Sequence, residues 1–250
     1  STSHLFSVWG SSWSDVFAVG GFGVILHYDG SSWSPMSGGA TSILSGVWGD
    51  SESDVFAAGY FGTILHYDGS SWSPMSVGTG NHFWDVWGSS GSDVFAVGGF
   101  GTILHYDGSS WSPMTSGTTS HLYGVWGSSG SDVYAVGENG TILHYNGSGW
   151  SPIASNVTNY FLNIWGTSAS DVFAVGHAGI LLHYDGSTWA PMSSNTQNHL
   201  FAVWGSSGSD VFAVGSSGTI LNYNGSGWSP MTSGTTSLLR GVWGDSGGDV

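Results

Sequence analysis

Histidine and aspartate are the side chains in this sequence best suited to bind a metal or carry a proton, and both recur at fixed places. His27, His66, His105, His144 and His183 hold one equivalent position, whose sixth occupant is Asn222. Asparagine keeps a histidine's hydrogen bonds and is a poor transition-metal ligand, so a structural hydrogen bond is expected there and not a metal centre. Asp15, Asp54, Asp93, Asp132, Asp171, Asp210 and Asp249 form a second set. In a turn such a carboxylate is expected to cap backbone N–H groups; calcium is the alternative, since oxygen donors suit a hard cation. Cysteine is absent, which removes thiolate catalysis, cysteine-based zinc sites and disulfides. The only glutamates are Glu52 and Glu138, and no carboxylate pair of the glycosidase kind stands out. The expectation is a non-enzyme without a cofactor.

Aromatic residues are the other chemistry-bearing class. Thirteen of the fifteen tryptophans sit at repeat positions and are expected in the core. Trp13 and Trp84 stand outside those sets and read as turn residues able to stack on a sugar ring.

A period of 39 residues positions all of these groups. Val-Trp-Gly at Val8–Gly10 returns with Trp48, Trp87, Trp126, Trp165, Trp204 and Trp243 at equal spacing. Each unit carries four β-rich runs, strands A to D, which in the first unit are residues 5–10, 16–20, 24–28 and 33–36. Gly-, Ser- and Asp-rich separators predict tight antiparallel turns. Pro35, Pro74, Pro113, Pro152, Pro191 and Pro230 all fall in strand D, which must be an outer edge because proline lacks a ladder donor. Strand B, Asp-Val-Phe-Ala-Val-Gly, is apolar on both faces, as a sheet stacked between two neighbours requires.

The prediction is a single all-β domain over residues 1–250, a β-propeller of six four-stranded antiparallel blades. Residues 235–250 repeat residues 1–16 and supply a seventh strand A. It could close a six-bladed ring by replacing the N-terminal copy, begin a seventh blade, belong to a longer array, or join two chains by strand exchange.

The order of these motifs, with Asp-Val-Phe-Ala-Val-Gly, Gly-Thr-Ile-Leu-His-Tyr and Tyr28-Asp29-Gly30-Ser31-Ser32-Trp33, resembles the bacterial Asp-box (BNR-like) propellers. That group includes sialidase-type and photosystem II assembly-factor-like repeats. Here one residue fewer separates Asp from Trp than in the usual box. The resemblance implies a propeller without implying an activity. Sialidases of this type hold a carboxylate with three arginines, whereas this chain has Arg240 alone, so hydrolysis is not expected.

Sequence variation concentrates in the B–C and D–A connections, which leave one end of each blade, while the A–B and C–D turns at the other end are nearly uniform. Loops on a rigid scaffold are where binding usually resides. Phe22, Tyr60, Phe61, Asn81, His82, Trp84, Phe100, His121, Tyr160 and His199 are the candidate ligand-binding residues. A multivalent lectin-like module that binds glycans is the leading expectation, with a structural or protein-interaction propeller as the alternative. With 16 acidic residues against one cation, nucleic acid is excluded as a partner, and no apolar run is long enough to insert in a membrane. The composition suits an extracellular or cell-surface bacterial protein.

Overall fold

The computed structural model describes residues 3–246, 248 and 250. Six separate four-stranded antiparallel sheets follow one another, each in the order A-B-C-D. In the first blade these are Leu5–Ser12, Asp15–Gly20, Ile25–Tyr28 and Trp33–Met36. Strand B is the most buried, every residue of Asp15–Gly20 being buried, and the proline-bearing strand D is outermost as expected. The chain divides into two compact units, Ser1–Leu122 with blades one to three and Tyr123–Val250 with blades four to six.

Blades stack through a repeated aromatic contact. In unit one the strand D Trp72 meets Phe17 of the preceding blade edge-on at 6.1 Å, and Trp111 meets Phe56 at 6.4 Å. In unit two Trp189 and Trp228 lie in the same way on Tyr134 and Phe173. The invariant Trp-Gly pair has a steric reason: a Cβ on Gly49 would stand 2.6 Å from the ring of Trp9 in the blade before it. Only glycine lets that indole approach.

Trp33 departs from the expected burial. It is 48% exposed, where Trp72, Trp111, Trp189 and Trp228 are all buried; its ring pairs with Tyr28 of its own blade at 5.4 Å.

The turns hold a second correction. Asp15 does not cap backbone N–H groups: its Oδ1 takes a 2.6 Å hydrogen bond with Nε2 of His27 on strand C, and its Oδ2 accepts from the Ser11 hydroxyl on strand A. His66, His105, His144 and His183 repeat the bond, and Asn222 Nδ2 replaces it with a 3.1 Å bond to Asp210. Hydroxyls of Ser11, Ser89, Ser128, Thr167 and Ser206 on strand A let five of these carboxylates tie three strands together, while Asp54, with Asp50 at the position of Ser11, joins strands B and C. Asp249 lies outside the described residues.

The C-terminal repeat forms no strand between residues 238 and 245, and the first blade is built with the N-terminal strand A. Its equivalence with residues 1–16 includes positions 1, 2, 247 and 249, which lie outside the described residues.

Candidate functional site

Two backbone devices bring side chains to the B–C and D–A end of each blade. The first is the B–C tip, a short turn, 3-10 in every blade but the second, in which one residue has positive φ: Phe22 (59°), Phe61 (59°), Phe100 (57°), Asn139 (54°), Ala178 (54°) and Ser217 (57°). L-residues other than asparagine and aspartate rarely adopt this conformation, and a bulky side chain is disfavoured there by about 1–2 kcal/mol. Phe22, Phe61 and Phe100 nonetheless point their rings outward, 81%, 72% and 69% exposed.

The second device is a bulge in strand A. Pairing with strand B skips one residue near the start of the strand, between Phe83 and Asp85 in blade three and between Leu200 and Ala202 in blade six. The skipped residues, Phe6, Ser45, Trp84 and Phe201 among them, are turned out of the ladder, the usual effect of a bulge beside a site. Trp84 thus belongs to the inner strand Phe83–Ser90 and not to a turn. Trp13 does sit in an A–B turn, 60% exposed at the opposite end of its blade.

In unit one the two devices assemble a continuous aromatic surface. His82 stacks on Tyr60 at 4.3 Å, meets Phe61 edge-on at 4.8 Å and neighbours Trp84 at 6.3 Å. Trp84 continues to His121 at 5.1 Å, and His121 to Phe100 at 5.0 Å. Nδ1 of His82 accepts the backbone N–H of Phe61 at 2.9 Å, and Nδ1 of His121 accepts that of Phe100 at 3.0 Å. Both rings must be neutral, with the proton on Nε2, to accept these bonds. Phe22 has Ile43 at the clamp position and no such bond.

Asn81, expected at the ligand surface, is an anchor instead. Its Nδ2 donates to Thr102 Oγ1 at 2.8 Å and its backbone carbonyl accepts from Gly62, which pins the D–A loop to the B–C tips of blades two and three. Beside this loop an open cleft of about 560 Å³, lined by Val77, Ile103, Trp111 and Met114, is separate from the aromatic cluster.

Unit two presents a smaller, more polar version. Tyr160 stacks on His177 at 5.3 Å, His177 lies 4.5 Å from His199, and Nδ1 of His199 accepts the N–H of Ala178. Burial, and then the neighbouring His199, hold the His177 imidazole below its ordinary value. The Arg240 guanidinium covers the bulged Phe201 ring at 5.1 Å.

Charge is segregated between the two ends of the blades. Among the described residues of the six blades, every acidic residue apart from Asp85 and Glu138 belongs to an A–B or C–D turn or its flank. In the C–D turns Asp29, Asp68 and Asp107 are each lowered to about 2, chiefly by a serine hydroxyl and then by backbone N–H groups. Asp185 reaches about 2 chiefly through the backbone N–H of Thr188. The aromatic end therefore carries little charge of its own.

No family model matches this chain, and no curated protein does. Solved structures share its fold. The chain resembles a YCF48 structure from Cyanidioschyzon merolae with a TM-score of 0.72 at 16% identity, over 95% of this chain and 87% of that one. It resembles YCF48 bound to D1 peptide with a TM-score of 0.72 at 15% identity, over 92% and 81%. The WD40 propeller domain of Doa1 gives 0.79 at 13% identity, over 97% and 87%. These likenesses place the chain, with its six four-stranded sheets, among the β-propellers by fold, at identities that carry the fold alone.

Proposed function

We propose that this propeller is a non-catalytic protein-interaction module whose B–C tips and D–A loops hold an apolar segment of a partner polypeptide. One observation carries the reading: Phe22, Phe61 and Phe100 are held outward in a conformation that disfavours them, at positions where blades four to six use Asn139, Ala178 and Ser217. Local strain combined with exposed aromatic area is retained where it serves a contact. Phenylalanine offers no hydrogen bond, so the partner surface must be largely apolar. The YCF48 structure with a bound D1 peptide, a propeller holding a polypeptide, supports the same class of partner.

Glycan binding, the leading expectation from sequence, finds less support. A sugar needs amide and imidazole partners beside the stacking ring, and here the Asn81 amide is committed to Thr102, and Nδ1 of His82 and His121 to the backbone. The test is a pair of screens, a displayed-peptide library and a glycan array, run on the wild type and on a Phe22→Ser, Phe61→Ser, Phe100→Ser variant. Peptides that lose the variant support the proposal. Aromatic-dependent binding to glycans with no peptide selected overturns it.

A further inference from the structure

Asparagine precedes glycine three times in this sequence, at Asn139, Asn146 and Asn224. A glycine has no side chain to shield its peptide nitrogen, so that nitrogen can attack the carboxamide of the asparagine before it wherever the backbone leaves both free. The fold treats the three pairs differently. Asn139 is the B–C tip of blade four, and the nitrogen its carboxamide would need is already engaged: Gly140 is buried and its N–H donates to the Asn159 carbonyl at 2.9 Å. The two loops are in close contact there, since a Cβ on Gly140 would stand 1.9 Å from the Val157 carbonyl oxygen.

Asn146 and Asn224 lie at the other end of their blades, in the C–D turns of blades four and six, and are exposed together with Gly147 and Gly225. Here the hydrogen bonds go to the carboxamide and not to the glycine nitrogen. Asn146 Oδ1 accepts from the Ser148 hydroxyl at 2.7 Å, the Ser148 N–H at 3.1 Å and the Gly149 N–H at 3.3 Å. Asn224 Oδ1 accepts from the Ser226 hydroxyl at 2.7 Å, the Ser226 N–H at 3.0 Å and the Gly227 N–H at 3.2 Å. Among the described residues the N–H groups of Gly147 and Gly225 have no hydrogen-bond acceptor. The three donors fold each carboxamide back over its own turn. They also stand where negative charge gathers when a nucleophile adds to Cγ, the arrangement that stabilises an oxyanion.

We infer that Asn146 and Asn224 are deamidation sites of the folded protein and that the fold protects Asn139. In blade four the Gly147 nitrogen gives its proton to solvent hydroxide and bonds to Asn146 Cγ, Nδ2 leaves as ammonia, and a succinimide ring closes. Water then opens the ring. Attack at Cγ leaves an aspartate, and attack at the main-chain carbonyl leaves an isoaspartate linked through its side chain; either way one water is taken up, one ammonia is released and one negative charge is added. Aspartate is what blades one, two, three and five already hold at this position, with the hydroxyls of Ser31, Ser70, Ser109 and Ser187 at 2.7 Å. Asp29, Asp68, Asp107 and Asp185 also precede glycine, yet they resist the same attack. Their donors keep them ionised, lowered to about 2, and a carboxylate offers no leaving group.

The test is peptide mass mapping of the intact chain after incubation at mildly alkaline pH, folded and in urea, conversion being read as the exchange of NH for O. In the folded chain Asn146 and Asn224 are expected to convert about tenfold faster than Asn139 or more, the factor set by opening one buried hydrogen bond. In urea the three sites should convert at comparable rates. Ser148→Ala removes one donor from Asn146 alone and should slow that site severalfold against Asn224 in the same molecule. Folded protein in which Asn139 keeps pace with the other two, or in which Asn146 and Asn224 stay intact while converting in urea, overturns the inference. An Asn146 rate that Ser148→Ala leaves unchanged or raises overturns the part assigned to the donors.

Discussion

Phe61 donates its backbone N–H to Nδ1 of His82 at 2.9 Å, while the two rings meet edge-on with centroids 4.8 Å apart. One histidine from the D–A loop therefore holds both the strained backbone and the exposed ring of a residue 21 positions earlier. The B–C tip, which would otherwise be a mobile turn, is presented in a fixed orientation.

Replacing His82 with leucine removes the acceptor and leaves the core untouched. Stability is expected to fall by about 1 kcal/mol or less, the net value of a partly exposed hydrogen bond. Partner binding should weaken far more, because Phe61 loses its orientation. A thermal melt read beside a binding titration separates the two effects; equal binding by His82→Leu and wild type would count against the clamp.

Phe61→Asn should do the opposite to stability. Asparagine accepts positive φ, as Asn139 does at the same position of blade four, so the variant is expected to gain about 1 kcal/mol and lose binding. Chemical denaturation measures the gain, and a loss of stability would show that the Phe61 ring is structural.

The Asp–His tie between strands predicts a ranking at His105. His105→Asn reproduces the bond that Asn222 makes to Asp210 and should cost little, while His105→Leu leaves the Asp93 carboxylate without its strand C partner and should cost about 1–3 kcal/mol. Urea midpoints of the two variants decide it.

Acid should act late on the C–D turns. Asp29, Asp68, Asp107 and Asp185 are lowered from 3.8 to about 2, so the folded state favours their ionised forms and the unfolded state binds the extra protons. Their stabilisation is present above about pH 4, and it is lost as the pH falls through the folded value near 2. His177 is also lowered and acts in the same direction at higher pH: the unfolded chain takes its proton first, so stability falls as the pH drops below 6.5. Melting temperature against pH for Asp29→Asn and His177→Gln should show each contribution flattened in its own window.

The fold was legible because its signals are periodic: the Trp-Gly pair, the two-faced strand B and the strand D proline each predict a stacked four-stranded blade, and each is found where expected. Asn222 also gave away the histidines, since the amide keeps the bond to aspartate. The site was only partly legible. Loop variation pointed to Phe61, His82 and Phe100, but Trp84 reaches the cluster through a bulge, and periodicity does not reveal which strand residue is skipped. The same bulge hid Phe6 and Phe201, although the changes of residue at that position, Phe, Ser, Trp, Tyr, Leu and Phe in turn, were a usable signal. Asn81 misled because an amide beside aromatics looks the same in sequence whether it faces a ligand or anchors a loop on Thr102.

The most direct measurement is the affinity of a library-selected peptide for wild type, Phe61→Asn and Phe100→Asn by calorimetry. A loss of tenfold or more in each variant, about 1.4 kcal/mol, with a negative heat-capacity change in wild type, is the result expected of an apolar polypeptide on the aromatic surface. Unchanged affinity in both variants would contradict the account.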